Sequence, residues 1–214
     1  MYVKVCGITH IDDALAAIDA GVDVLGFNLI PSSKRYLTPD LARPIVERLR
    51  GKVICVAVVA DLTPSECLEL GQRAGIDRFQ LHGDEPAEHV TALAPRAFKA
   101  LRVGAAADVE LARVYPGRFV LVDAKVEGQL GGTGTRVDWR LVAPLAASRP
   151  TMLAGGLTPE NVEEAVSLVR PWGVDVASGV EASSDTRRKD ESRVRDFVRA
   201  ARRASAPGRQ IDFW

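Results

Sequence analysis

Eight short aliphatic runs, each trailed by a segment of helical periodicity, divide this chain from end to end. The runs are VKVC (3–6), VLGFNL (24–29), VICVAVV (53–59), RFQLH (78–82), FKALRV (98–103), FVLVD (119–123), TMLA (151–154) and VDVAS (174–178). Runs of this length and composition read as strands covered on both faces. The segments between them carry helix start signals. THIDDALAAIDAG offers Thr9 or His10 before a helix and Gly21 after it. TPDLARPIVERL, TPSECLELGQRAG and TPENVEEAVSLV each open on Thr-Pro, a cap followed by proline at the first helical position. Eight strands alternating with eight helices predict a parallel sheet closed into a single (β/α)8 TIM barrel, with residues 1–204 as the barrel and 205–214 as a tail. An open doubly wound sheet is the runner-up, but no GxGxxG follows the first run, so a dinucleotide site would lack its usual turn.

The chain has 214 residues, 47% of them hydrophobic, which is enough for a sizeable core. Lys+Arg and Asp+Glu balance at 28 each. That gives no electrostatic case for nucleic acid or an anionic membrane, so any anion site must be local. No apolar run approaches the ~20 residues of a membrane helix, and a strand starting by residue 3 leaves no room for a signal peptide. Cys6, Cys55 and Cys67 are odd in number, with no CxxC pair and no histidine at ligand spacing. They suggest neither a disulfide framework nor a metal site. The expectation is a soluble cytoplasmic protein, monomer or homodimer, working in a reducing compartment.

Side chains alternate faces along a strand. On one parity lie Lys4 and Cys6, Gln80 and His82, Lys99, Asp123 and Asp175; on the other lie Val3 and Val5, Phe79 and Leu81, Val120 and Val122, Val174 and Val176. The aliphatic parity should face the helices and the polar parity the barrel axis. Cys6, His82, Asp123 and Asp175 would then converge at the C-terminal mouth, where this architecture places active sites.

Two glycine turns suit a phosphate. Gly155 and Gly156 follow the seventh run, and Ser178 and Gly179 follow the eighth, each ahead of a helical turn. Glycine lets backbone N–H groups approach an anion, and helix starts favour negative charge. Either pair alone could be a tight turn; together, after strands 7 and 8, they point to phosphate. The long Gly-rich connection 123–139 reads Gly134-Thr135-Arg136 where a nucleotide P-loop needs Gly-Lys-Ser/Thr, so a lid that closes on substrate is the better reading. Lys34 and Arg35 follow the second run as either a solvated basic turn or, for Arg35, a carboxylate clamp. Taken singly, Asp123 could be a cap and His82 a structural imidazole. Cys55 and Cys67, within a strand and a helix, read as structural.

KVCGIT, GFNLIPSSKRYL, FQLHGDE, LVDAK…GGTGTRVDW, LAGGLTPENV and GVDVASGVE, in this order from residue 3 to about 198, resemble the phosphoribosylanthranilate isomerases of tryptophan biosynthesis. The resemblance implies a cofactor-free Amadori rearrangement of N-(5-phosphoribosyl)anthranilate to the 1-deoxyribulose 5-phosphate product. It places the general base on Cys6, the general acid on Asp123 and the anthranilate-carboxylate arginine on Arg35. His82 and Asp175, at the expected mouth, would join Arg35 in contacting substrate. Two departures stand out: residues 183–192 lack a Pro-Gly after Ser-Ser, and Asp61 stands where the family often has asparagine.

The chemistry asks for these groups. Furanose opening needs a proton on the ring oxygen, which a carboxylic acid can deliver. The resulting Schiff base acidifies the C2′ proton, which a thiolate can remove. An isomerase of the larger histidine-pathway aminoaldose would need a second anion cradle after strands 3 and 4, and VADLTP and LHGDEP lack the glycines for one. A non-catalytic phosphosugar-binding module would need no paired acid and base.

Overall fold

The computed structural model describes residues 1–124 and 138–205; most of the expected lid and of the tail lie outside the described residues. Eight parallel strands close into a barrel in chain order: β1 (Tyr2–Cys6), β2 (Val24–Asn28), β3 (Ile54–Val59), β4 (Phe79–Leu81), β5 (Ala97–Val103), β6 (Val120–Ala124), β7 (Thr151–Leu153) and β8 (Gly173–Val176), with β1 pairing both β2 and β8. Each lies within two residues of its aliphatic run. The helices between and after them are α1 (Ile11–Asp19), α2 (Pro39–Leu49), α3 (Pro64–Ala74), α4 (Ala87–Ala92), α5 (Ala106–Val114), α6 (Trp139–Ser148), α7 (Val162–Val169) and α8 (Glu191–Ala204). The barrel fold is the expected one. None of the described helices is long and apolar enough to cross a membrane.

Two of the three Thr-Pro signals start helices as read. Thr38 accepts from the Leu41 N–H at the head of α2, and Thr63 forms a reciprocal capping box with Glu66 at the head of α3. The third does not. Asn161 accepts from the Thr158 N–H through Oδ1 (2.8 Å) and donates from Nδ2 to the Gly156 carbonyl (2.9 Å), stitching residues 156–161 into a turn. α7 therefore starts only at Val162.

Register separates the two faces of the barrel. Val3, Val5, Leu25, Phe27, Val120, Val122, Val174 and Val176 join the helices in one continuous outer core. Val24, Val56, Phe98, Phe119, Leu121 and Met152 fill the inside, with Tyr2 and Trp172 packed against them. Burying such side chains is worth about 1.5–3 kcal/mol each before chain entropy is charged. Above this apolar plug the inward residues turn polar.

Lys99 breaks the expected parity. Gln80 registers with Phe98 and Leu81 with Lys99, so Lys99 points out of the barrel. There Nζ donates to the Leu81, Gly83 and Ala100 carbonyls (3.2, 2.8 and 2.9 Å) and pairs with buried Glu85 at 3.0 Å. Glu85 in turn accepts from the N–H groups of Asp61 and Gly83. Asp61 takes a left-handed φ of 58°, which asparagine and aspartate tolerate best, and its Oδ1 accepts from the Asp84 N–H (2.6 Å). The aspartate at this position is thus a turn residue bracing the β4–α4 connection.

After β8 the chain adds a short 3-10 turn (Ser178–Val180) and an antiparallel pair, β9 (Glu181–Ala182) and β10 (Asp185–Lys189), before α8. The hairpin forms without a Pro-Gly. Asp13 on α1 anchors it, accepting from the Lys189 N–H (2.9 Å) and from the Arg188 guanidinium (2.9–3.2 Å).

Candidate active site

β1 ends on Cys6 and β6 delivers Asp123 as its last inward carboxylate, in register with Arg102 of β5. Only β7 and β8 stand between them on that side of the barrel. Both side chains are buried with a small opening to solvent, 8% for Cys6 and 6% for Asp123. His82 follows β4 on the same inward parity, and its Nε2 lies 3.6 Å from Asp123 Oδ2 while Nδ1 meets Gln80 Nε2 at 3.0 Å. The structure therefore brings His82 and Asp123 together, as expected of the mouth.

Asp175 lies deeper than expected. β8 stops at Val176, so Ala177, not Asp175, is the uppermost inward position, and Asp175 registers with Lys4 one layer beneath Cys6. Its Oδ1 accepts from Lys4 Nζ at 2.9 Å. Burial is the largest influence on Lys4 and opposes its charge, but Asp175 and Cys6 together outweigh it and hold its pKa above the usual lysine value.

The two glycine turns meet. Gly155 and Gly156 hold left-handed backbone, φ 85° and 65°. Gly179 sits so close to the preceding loop that any Cβ would collide with the Leu157 carbonyl. Among the described residues, none of the N–H groups of Gly155, Gly156, Ser178 and Gly179 donates to a backbone carbonyl. These four partly exposed N–H groups, gathered from two interlocked loops, make an arrangement suited to an anion.

Arg35 is buried (5% exposed) whereas Lys34 is exposed, so the solvated-turn reading fits only Lys34. Arg35 packs its methylenes over Gly7, directly after Cys6, and its Nε donates to Glu181 Oε1. Glu181 also pairs with Lys34 (3.4 Å) and Lys189 (3.8 Å). Lys189 donates to the Ala177 carbonyl (3.0 Å). Burial pushes its pKa down to about 8 against the opposing pull of Glu181; Arg35, Cys6 and Asp175 act on it more weakly. Glu181, Lys189 and Lys4 escape a reading by motif. The signals were the acid that closes ASGVE at residue 181 and two lysines, Lys4 and Lys189, each within or at the end of a strand.

The other two thiols sit on β3 and α3. Burial raises Cys55 to about 12 and Cys67 to about 11.

Comparisons with known proteins converge on one family. Residues 3–200 match the family described as N-(5′-phosphoribosyl)anthranilate (PRA) isomerase. A relative from Desulforudis audaxviator, named N-(5′-phosphoribosyl)anthranilate isomerase, is 42% identical over 204 residues, covering 94% of this chain and 98% of its own. The crystal structure of phosphoribosyl anthranilate isomerase from Thermus thermophilus superposes with a TM-score of 0.85 at 38% identity, covering 95% of this chain and 99% of that one. A phosphoribosyl anthranilate isomerase in complex with reduced 1-(o-carboxyphenylamino)-1-deoxyribulose 5-phosphate gives 0.83 at 37% identity, covering 94% and 98%.

Proposed function

Because the chain belongs to the N-(5′-phosphoribosyl)anthranilate isomerase family and catalyses that Amadori rearrangement in tryptophan biosynthesis, we propose that Cys6 is its general base and Asp123 its general acid. The observation that carries the assignment is placement. Cys6 and Asp123 stand at the mouth on β1 and β6, flanking the two strands whose loops form the anion cradle.

With the phosphate on the N–H groups of Gly155, Gly156, Ser178 and Gly179, the sugar lies across the mouth between acid and base. Asp123 protonates the furanose oxygen while the anilino nitrogen pushes electrons into C1′, and the ring opens to a Schiff base. Cys6, as thiolate, takes the C2′ proton, giving an enolamine that tautomerises to the ketone. Arg35 faces the other end of the substrate, where a guanidinium fits the anthranilate carboxylate. His82 orients Asp123, and Asp175 acts from the layer below. Acid and base suffice, so the reaction calls for no cofactor. A phosphosugar this strongly charged does not cross a bilayer unaided, which favours the cytoplasm as the working compartment.

Steady-state kinetics test the pair. Cys6→Ser and Asp123→Asn should each lower kcat by roughly 10²–10⁴ with a smaller change in KM, the usual worth of a positioned acid or base. A Cys6→Ser enzyme with near-wild-type kcat would remove Cys6 from the role of base.

A further inference from the structure

A thiol works as a base only once ionised, and a free thiol ionises near pH ~8.5. The setting of Cys6 makes this demanding. Its neighbours Ile30 and Val58 form a small apolar cluster with it, joined by Ala60 and Ala177, a surrounding that penalises a bare anion. Lys4 lies on the same strand and the same inward face. It is fully buried, and the nearby Cys6, after Asp175, favours its charged form. Gly26, in register with Cys6 on β2, leaves room for both groups on the same side of the barrel. A Cβ there would stand 2.9 Å from Cys6 Sγ and 3.0 Å from Lys4 Nζ, so the thiol and the ammonium share the space a side chain would fill.

We propose that Lys4 is a positioning residue, the buried counter-ion that holds Cys6 as a thiolate, with Asp175 anchoring the ammonium from beside it. This rests on Cys6 being the base. Lys4 keeps its proton throughout and touches no substrate; its cation compensates the anion that the apolar cluster would otherwise reject. Asp175 explains why the lysine stays charged at full burial, since its carboxylate 2.9 Å away keeps the ammonium from shedding its proton. The other charged or titratable groups around Cys6 are Lys189 from β10, Arg35 from the β2–α2 connection, Glu181 from β9, and His82 and Asp123 across the mouth. Arg35 and Lys189 are both tied to Glu181. Lys4 is the cation that meets the thiol from within the barrel.

Alkylation by iodoacetamide, with the modified peptide identified by mass spectrometry, reads the thiolate directly and without substrate. Cys55 and Cys67, held to about 12 and 11, leave Cys6 as the fast site. In Lys4→Met the alkylation rate at neutral pH should fall about tenfold or more, and the pH of half-maximal rate should rise by about one unit or more, the usual effect of removing an opposite charge at this range. Asp175→Asn, which removes the anchor but leaves the lysine itself in place, should lower the rate by clearly less than Lys4→Met does. If Lys4→Met does not fold, Lys4→Met/Asp175→Asn removes both charges together and should show the same loss. Wild-type reactivity and pH dependence in the folded Lys4 variant would overturn the assignment, as would an equal loss in Lys4→Met and Asp175→Asn, the mark of a merely structural role. The outcome is separable from the base itself: an active Cys6→Ser would refute the base while leaving the alkylation result standing.

Discussion

Gly179→Ala isolates the anion cradle from the rest of the site. Gly179 does not occupy left-handed backbone, so alanine meets no conformational penalty there. The obstacle is contact alone. A Cβ would sit 2.0 Å from the Leu157 carbonyl oxygen and 3.0–3.1 Å from Leu157 C and Thr158 Cα. Ordinary contact begins at 3.4 Å, so the two loops must part by 3.4 − 2.0, about 1.4 Å. Neither loop yields easily. Leu157 is buried in the outer core, Asn161 stitches its loop from both sides, and Arg193 Nε holds the Gly179 carbonyl at 2.9 Å. The parting therefore splays the four N–H donors that the phosphate needs to reach together. A misplacement of about 1 Å costs on the order of 10² in rate, and here the loss should fall mainly on KM, because Cys6 and Asp123 are untouched. Steady-state kinetics, with inorganic phosphate as a competing ligand, should show kcat/KM down about a hundredfold and inhibition by phosphate weakened in parallel. A folded variant with wild-type KM, or a raised KM with unchanged phosphate inhibition, would refute the cradle.

Two further outcomes follow from the cationic rim. Arg35→Lys should weaken binding of the product analogue by about 1.5–3 kcal/mol, the worth of a hydrogen bond to a charged group, while a plain pentose 5-phosphate binds as before; calorimetry with both ligands decides, and equal losses would assign Arg35 to the phosphate or the fold. Lys189, held to about 8 by burial against the pull of Glu181, binds fewer protons in the folded state than the unfolded chain does between about pH 8 and its ordinary 10.5. Its cost to stability is therefore complete below pH 8 and is relieved as pH rises through that window. Denaturant midpoints of wild type and Lys189→Met should shift in favour of wild type between about pH 7.5 and pH 10, and a constant gap would contradict the burial argument.

Strands and barrel were legible because aliphatic runs bounded by turn signals report burial locally. The placing of Cys6 and Asp123 at the mouth was legible because each ends such a run on the inward parity. The same reasoning failed at Lys99, since parity takes a charge for an inward group and cannot see that Glu85 and three carbonyls accommodate it outside the barrel. It misplaced Asp175 by a layer because VDVAS extends past the hydrogen-bonded end of β8 at Val176. It left Arg35 undecided between solvent and clamp because the partner that buries it, Glu181, is 146 residues away. Pairing across such separations has no local signature. Lys4 shows the same limit, its role resting on a carboxylate 171 positions later and on a space left by Gly26.

Those separations also govern when activity can arise during synthesis. β1 leaves the ribosome before the other strands of the barrel, yet it stays an edge strand until β8 arrives to pair with it. Cys6 until then lacks the Asp175 that anchors Lys4, and Arg35 lacks Glu181 until the hairpin follows. Late, long-range closure of this kind is slow to nucleate and leaves strand edges exposed meanwhile. The nascent barrel thus carries the Cys6 thiol from its first strand but acquires a complete mouth only once β8 and the hairpin after it have been made, so a product truncated before β8 would hold most of the barrel's residues and lack the site.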